Sequence, residues 1–108
     1  MSGVFDTREE SFEKRFVMGE ELRFKARARR NKLIGLWAAQ LLGYQGDAAK
    51  ARANELVEAQ VGRDDDEALA AELRGELSRA GVAISAHRVR RKIDAAMAQA
   101  VEDIEAGR

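Results

Sequence analysis

Glycine positions are the feature that most restricts the fold of this chain. Gly43, Gly46, Gly62 and Gly81 separate stretches rich in alanine, glutamate, arginine and leucine, and none of the 108 residues is a proline. These residue types have high helix propensities, and short connections suit neighbouring antiparallel helices. A chain of this length builds one modest hydrophobic core. The sequence therefore predicts an all-α protein, with residues 20–108 forming a small four-helix bundle.

The first predicted helix begins near Glu20, ends at Gly43 and changes character halfway. Its first half contains the cationic run RFKARARRNK, residues 23–32, and its second half is the most apolar stretch of the chain. A helical wheel spreads the apolar residues over about two thirds of the circumference. They are Leu33, Ile34, Leu36, Trp37, Ala38, Leu41, Leu42 and Tyr44. We expect this helix at the centre of the bundle, with Trp37 as a core anchor.

The other three helices have recognisable capping residues and inward-facing stripes. The predicted caps are Asp47, Asp64 in a capping box with Glu67, and Ser85 inside a hydrophobic staple of Ile84 and Val89. The predicted inward residues are Ala53, Leu56, Val57 and Val61, then Leu69, Leu73, Leu77 and Ala80, then Val89, Ile93, Met97, Ala100 and Ile104.

Residues 1–19 do not fit the bundle. Phe5, Phe12 and Phe16 lie within about 40° of one another on a helical wheel, but most residues between them are charged or polar. Three rings on a narrow stripe cannot form a core, and Gly19 favours a hinge before the bundle. We expect a flexible N-terminal segment that is disordered alone and folds as a helix in a partner's groove.

The inventory for catalysis is thin, and we expect a protein that is not an enzyme. The chain has no cysteine and one histidine, His87, which we expect to be exposed to solvent. The acidic run of residues 64–67 suits helix capping better than metal binding. We predict no catalytic residue, no metal site and no cofactor. The longest apolar run is about half of a membrane span, and the acidic N-terminus does not resemble a targeting segment, so no membrane insertion is expected.

The cationic run permits three interpretations: a solvated helix surface, a protein-docking surface or a nucleic-acid interface. Nucleic-acid binding needs clustered cations, but on a helix these side chains spread around the circumference. The formal net charge is zero, with 19 cations and 19 acids. A basic module of residues 23–32 and 88–92 stays as the alternative, while the preferred interpretation involves no nucleic acid. The candidate docking residues are Arg23, Lys25, Arg27, Arg29 and Arg30.

Two stretches together, VFDTREESFEKRF and RFKARARRNKLIGLWAAQLLG, carry a resemblance to a known family. The chain resembles the ζ subunit of the α-proteobacterial F-type ATP synthase, formerly a domain of unknown function. The similarity extends through the GDAA start of the second helix and the AGVAIS turn into the last. The second stretch is the more specific match.

The resemblance implies a four-helix inhibitor of ATP hydrolysis. Residues 1–19 would fold into a helix at an α/β catalytic interface of the F1 head, next to the central stalk, and block rotation in the hydrolytic direction. It implies a protein that is cytoplasmic and held on the cytoplasmic face of the inner membrane through ATP synthase. We expect it to be monomeric when free. The implied partner-binding residues are Phe5, Phe12 and Phe16 as apolar anchors, with Asp6, Arg8, Glu9, Glu10, Glu13, Lys14 and Arg15 as charged contacts.

Overall fold

The computed structural model describes residues 19–60, 63 and 65–107. They form four α-helices: α1 at Glu20–Leu41, α2 at Gly46–Gln60, α3 at Asp66–Arg79 and α4 at Ala86–Glu105. The predicted all-α class and the number and order of the helices are confirmed. The predicted flexible segment of residues 1–19 lies outside the described residues, apart from Gly19 at its end.

Helix α1 lies between α2 and α4, and α3 packs mainly against α4. The central position that the sequence predicts for α1 is therefore confirmed. The core takes residues from all four helices: Ile34, Ala38, Leu56, Leu69, Ala70, Leu73, Val89, Ile93 and Ala96. Leu33, Trp37 and Ile84 are partly buried against this core. Trp37 thus lies at its edge.

The buried residues of α1 form two adjacent rows, each with a spacing of four residues, and the second row is Asn31, Gly35 and Ala39. Ala26, Arg30, Ile34 and Ala38 are all buried, as one face of a helix requires. The expectation of a wide apolar face was wrong at the end of this helix, where Leu41 and Tyr44 are exposed. Leu41 is the last helical residue. Tyr44 follows a left-handed glycine, Gly43 with φ 99°, and so leaves the helical face altogether.

The helix starts confirm one predicted cap and correct two. The Ser85 hydroxyl accepts a hydrogen bond of 3.1 Å from the backbone N–H of Arg88, as predicted. For α3 the N-cap is Asp65, not Asp64, because its carboxylate accepts from the Ala68 N–H at 3.0 Å. For α2 the helix starts at Gly46, which places Asp47 in the first turn instead of at the cap.

The inward stripes of α2, α3 and α4 are largely confirmed. The buried members are Ala53, Leu56, Leu69, Leu73, Leu77, Val89, Ile93 and Ala100. Val57, Met97 and Ile104 are half-buried at the edges of these stripes. Ala80 is exposed, against expectation, because α3 has already ended and Ala80 is its C-cap. Val61 lies outside the described residues.

Candidate functional site in the first half of helix α1

Two of the five candidate docking residues lie at the exposed start of α1. Arg23 and Lys25 are both exposed. Lys25 Nζ lies 3.2 Å from Glu21 Oε1 one turn earlier, and both side chains stay largely in solvent. Such an exposed pair contributes little to stability. These two cations are therefore accessible to a partner at the start of α1.

Arg30 lies inside the protein, at 3% exposure. It shares a face with Ile34 and Ala38, so the helical spacing turns it inward. Its Nη1 donates to Asp66 Oδ1 at 2.8 Å, and its Nε donates to Asn31 Oδ1 at 2.9 Å. The interpretation of the cationic run as a solvated helix surface was therefore wrong for Arg30. A buried guanidinium needs such partners because desolvation of an unpaired charge is costly.

Asp66 is the meeting point of three guanidinium groups, and we call these four residues the Asp66 cluster. Besides Arg30, Arg27 Nη1 lies 3.7 Å from its Oδ1 and Arg90 Nη1 lies 3.4 Å from its Oδ2. Burial raises the pKa of Asp66, but the hydrogen bond from Arg30 and the charges of Arg30, Arg90 and Arg27 outweigh it and hold that pKa below its usual value. The cluster joins α1, α3 and α4 at one place.

A second ion pair fixes the first half of α1 to the end of α4. Arg29 donates from Nε and Nη2 to Asp103 Oδ2, at 3.1 and 3.0 Å. Asp103 is 4% exposed, and its other oxygen accepts from Gln99 Nε2 at 2.8 Å. A two-bond contact of this kind fixes orientation as well as distance. The first half of α1 is thus attached to the end of α4 in a defined geometry.

The contacts of these cations bear on the nucleic-acid alternative. Arg27, Arg29, Arg30 and Arg90 all face carboxylates within the chain. Lys92 Nζ lies over the Trp37 ring, 5.8 Å from its centroid, which is a cation–π contact. Phosphate binding requires cations whose charge is available to the ligand. Much of the predicted basic module is instead used to hold the helices together.

A groove opens between the first half of α1 and the end of α2. Its apolar floor consists of Phe24, Ala28 and Val57, and its volume is about 480 Å³. Phe24 is 68% exposed, although it is one of the largest apolar side chains in the described part. The rim is charged or polar, with Glu20, Glu21, Arg23, Arg27, Asn31, Gln60 and Arg63. We call this feature the Phe24 groove.

Sequence reasoning missed the two carboxylates that organise this region. Asp103 had a local signal, since it lies on the inward side of α4 between Ala100 and Ile104. Asp66 had none, because nothing in the sequence links it to Arg30, 36 positions earlier. Its neighbour Asp65 confirms the interpretation of the acidic run as a helix cap. Asp66 itself serves the ion-pair cluster.

His87 is exposed, as expected. Among residues 19–60, 63 and 65–107, no group of three or more histidine, cysteine or acidic side chains could hold a metal ion. Over that same part of the chain, no helix has the length and hydropathy to cross a membrane. The candidate inhibitory residues between Phe5 and Phe16 lie outside the described residues.

The fold and the contacts around α1 define a class: a small helical bundle with exposed cations and an apolar groove at the start of its central helix. The chain belongs to the family described as ATPase inhibitor subunit zeta, whose model matches residues 1–103. No curated protein and no solved structure matched the chain. Family membership confirms the resemblance, makes the protein a regulatory ATPase inhibitor subunit and not an enzyme, and implies association with ATP synthase.

Proposed function

We propose that residues 1–19 are the inhibitory part of the protein and that the bundle is their carrier. The segment folds into a helix at an α/β catalytic interface of the F1 head, beside the central stalk, and blocks rotation in the hydrolytic direction. Phe5, Phe12 and Phe16 serve as apolar anchors there. The family match includes this segment, which supports its role in inhibition. Through this contact the protein is held at the cytoplasmic face of the inner membrane.

The observation that carries the proposal is the attachment of α1 just behind the segment. Ten residues after Gly19, Arg29 is bonded twice to the buried Asp103, and the next residue, Arg30, is bonded to Asp66. A segment that resists a moving rotor needs a base that does not detach from its carrier. Removal of one partner from a fully buried ion pair costs about 3–5 kcal/mol. The cost is smaller here because Arg29 and Asp66 are partly exposed, but both contacts still resist separation of α1 from α3 and α4.

Charged side chains at the start of α1 fit the same arrangement. Arg23 and Lys25 are exposed, whereas Arg27, Arg29 and Arg30 are directed to carboxylates of the bundle. Rim charges mainly affect the rate and orientation of association. We assign to Arg23 and Lys25 the docking of the carrier on F1 after the segment has entered the interface.

The test is the ATPase rate of isolated F1 as the protein is titrated in. The full chain should inhibit, and a chain that lacks residues 1–19 should not. Phe12→Ala combined with Phe16→Ala should raise the concentration for half-maximal inhibition by about tenfold or more, since each buried aromatic anchor contributes roughly 1 kcal/mol or more. Helicity should be unchanged.

A matched control is His87→Ala, which alters an exposed side chain on α4, outside the contacts of α1 described above. It should inhibit like the unaltered chain. Equal inhibition by the full chain and the shortened chain would rule out the segment as the inhibitory element. Loss of helicity in the Phe12 and Phe16 variant would instead place those rings in the bundle.

A further inference from the structure

The Phe24 groove has no role in the mechanism above, and its position suggests an occupant. We propose that in the free protein residues 1–18, which the sequence predicts to be flexible, fold back for part of the time and dock in the Phe24 groove, with the phenylalanine stripe against its apolar floor. This inference rests on the proposed function, because the docked segment is the one that F1 must receive. The groove then holds the inhibitory segment until F1 competes for it.

The chemistry of the floor matches the stripe. Phe24, at 68% exposure, leaves a large apolar area in water beside the half-buried Ala28 and Val57. The other large exposed apolar residues of the described part, Leu41 and Tyr44, lie at the opposite end of α1. Burial of apolar area yields about 25 cal/mol per Å², and aromatic pairs add to it. The stripe of Phe5, Phe12 and Phe16 offers the complementary surface.

The dimensions also match. The part of α1 that lines the groove, residues 20–31, is about 17 Å long at 1.5 Å per residue. A helix from Phe5 to Phe16 has the same length, about 17 Å. Residues 17–19 would then connect two antiparallel helices, which short loops of a few residues do routinely. Gly19 has extended backbone, φ 170° and ψ 139°, so α1 does not run helically through it.

Because residues 1–18 are covalently connected to the bundle, even a weak contact with the groove is enough for docking. A short tether gives an effective concentration of about 1 mM, so even a contact with a dissociation constant near that value is substantially occupied. The rim carries two exposed cations, Arg23 and Arg63, and two exposed acids, Glu20 and Glu21, so it offers partners to charges of both signs on residues 1–18, whose side chains include four acids and three cations. Docking lowers the apparent affinity of the segment for F1, because F1 binds only the fraction of molecules in which the segment is undocked.

The first experiment measures the contact in the free full-length protein by paramagnetic relaxation NMR. The chain has no cysteine, so Ala59→Cys places a single spin label on the exposed side of α2 next to Gln60 of the groove. We expect selective loss of the amide signals around Phe12 and Phe16. A label at Ser78→Cys, at the far end of α3, should leave those signals intact.

A tether control separates docking from mere proximity. In the Ala59→Cys chain, Phe12→Ser with Phe16→Ser removes the anchors and keeps the connection, and Phe24→Ser removes the floor. Both changes should restore the amide signals of residues 5–16. Signal loss that is equal with and without the three rings would overturn the proposal, as would the absence of any loss. Because F1 is absent, this result is independent of the inhibitory mechanism.

The second experiment uses F1. Phe24→Ser should lower the concentration for half-maximal inhibition about twofold to tenfold, because it frees the segment from the groove. Val82→Ser, a half-buried residue of the loop before α4, is the matched control and should leave that concentration unchanged. Unchanged or weaker inhibition by Phe24→Ser would contradict the competition between groove and F1. If the unaltered chain fails to inhibit at all, the proposed function fails and the NMR result alone decides docking.

Discussion

The two halves of α1 differ in what they bury: the first half buries a charged side chain, and the second half buries only small and apolar residues. The buried residues are Ala26, Arg30 and Asn31 in the first half, and Ile34, Gly35, Ala38 and Ala39 in the second. The spacing decides which residues face inward. A charged side chain can be buried at such a position only if a neighbouring helix provides a partner of opposite charge. A buried cation in the first half is matched by a carboxylate, whereas the second half packs apolar and small residues.

The second half also brings backbones closer together. A Cβ on Gly35 would lie 3.0 Å from Ala53 Cα and 3.2 Å from the Ala53 Cβ, so glycine permits close approach of α1 and α2. The first half reaches its neighbours through long arginine side chains instead. We infer that the apolar half supplies most of the packing energy and that the charged half fixes the orientation of α1, since ion pairs are directional and desolvation offsets much of their energy.

The largest expected effect comes from Asp66→Ala, which leaves Arg30 buried without its carboxylate. We expect a loss of about 3 kcal/mol in the free energy of unfolding, the cost of an uncompensated buried charge. Urea unfolding followed by circular dichroism measures it. The matched control is Glu67→Ala, an acid in the same helical turn with a largely exposed side chain, which should cost under about 1 kcal/mol.

A double variant sharpens this result. Adding Arg30→Met to Asp66→Ala should recover much of the lost stability, because a hydrophobic side chain of similar size carries no desolvation cost. If Asp66→Ala alone costs no more than Glu67→Ala, the Asp66 cluster is not a structural element of the fold.

Sequence reasoning predicted what depends on neighbouring residues and missed what depends on distant ones. Ser85 was recognised as a cap because the signal lies within a few residues, and the cap of α3 was displaced by one position because three aspartates in a row offer nearly the same chemistry. Arg30 lies four residues before Ile34, a local signal for its burial that sequence reasoning did not use when it made Arg30 a docking candidate. Its partner Asp66 had no such signal, since that contact exists only after the helices have packed.

The second effect tests the apolar half. Gly35→Val should cost about 2 kcal/mol, because its methyl groups would collide with the Ala53 backbone and force α1 away from α2. Gly75→Ala is the matched control in α3, where an added Cβ meets only the end of the flexible Arg79 side chain. It should raise stability by about 1 kcal/mol through helix propensity. Thermal unfolding of both chains gives the comparison, and a stabilised Gly35→Val would contradict close packing there.

Acid should reproduce part of the Asp66→Ala effect. The pKa of Asp66 is lower in the folded chain than its ordinary value of 3.8. Its carboxylate therefore stabilises the fold above that value, and the stabilisation is lost as the pH falls through the folded pKa. As the pH falls below 3.8, the unaltered chain should lose more stability than Asp66→Asn. Parallel losses in the two chains would show that other carboxyl groups dominate acid unfolding.

The smallest effect on stability is expected at Lys25, five residues before Arg30 on the same helix. Lys25→Ala removes an exposed pair with Glu21 and should change the free energy of unfolding by less than about 0.5 kcal/mol. Its effect should appear in binding, because an accessible cation influences association with a charged partner. Inhibition of F1 by Lys25→Ala should therefore set in more slowly at low salt and match the unaltered chain at high salt. A stability loss comparable to that of Asp66→Ala would erase the distinction between exposed and buried cations of α1, and an unchanged onset at low salt would remove Lys25 from the docking surface.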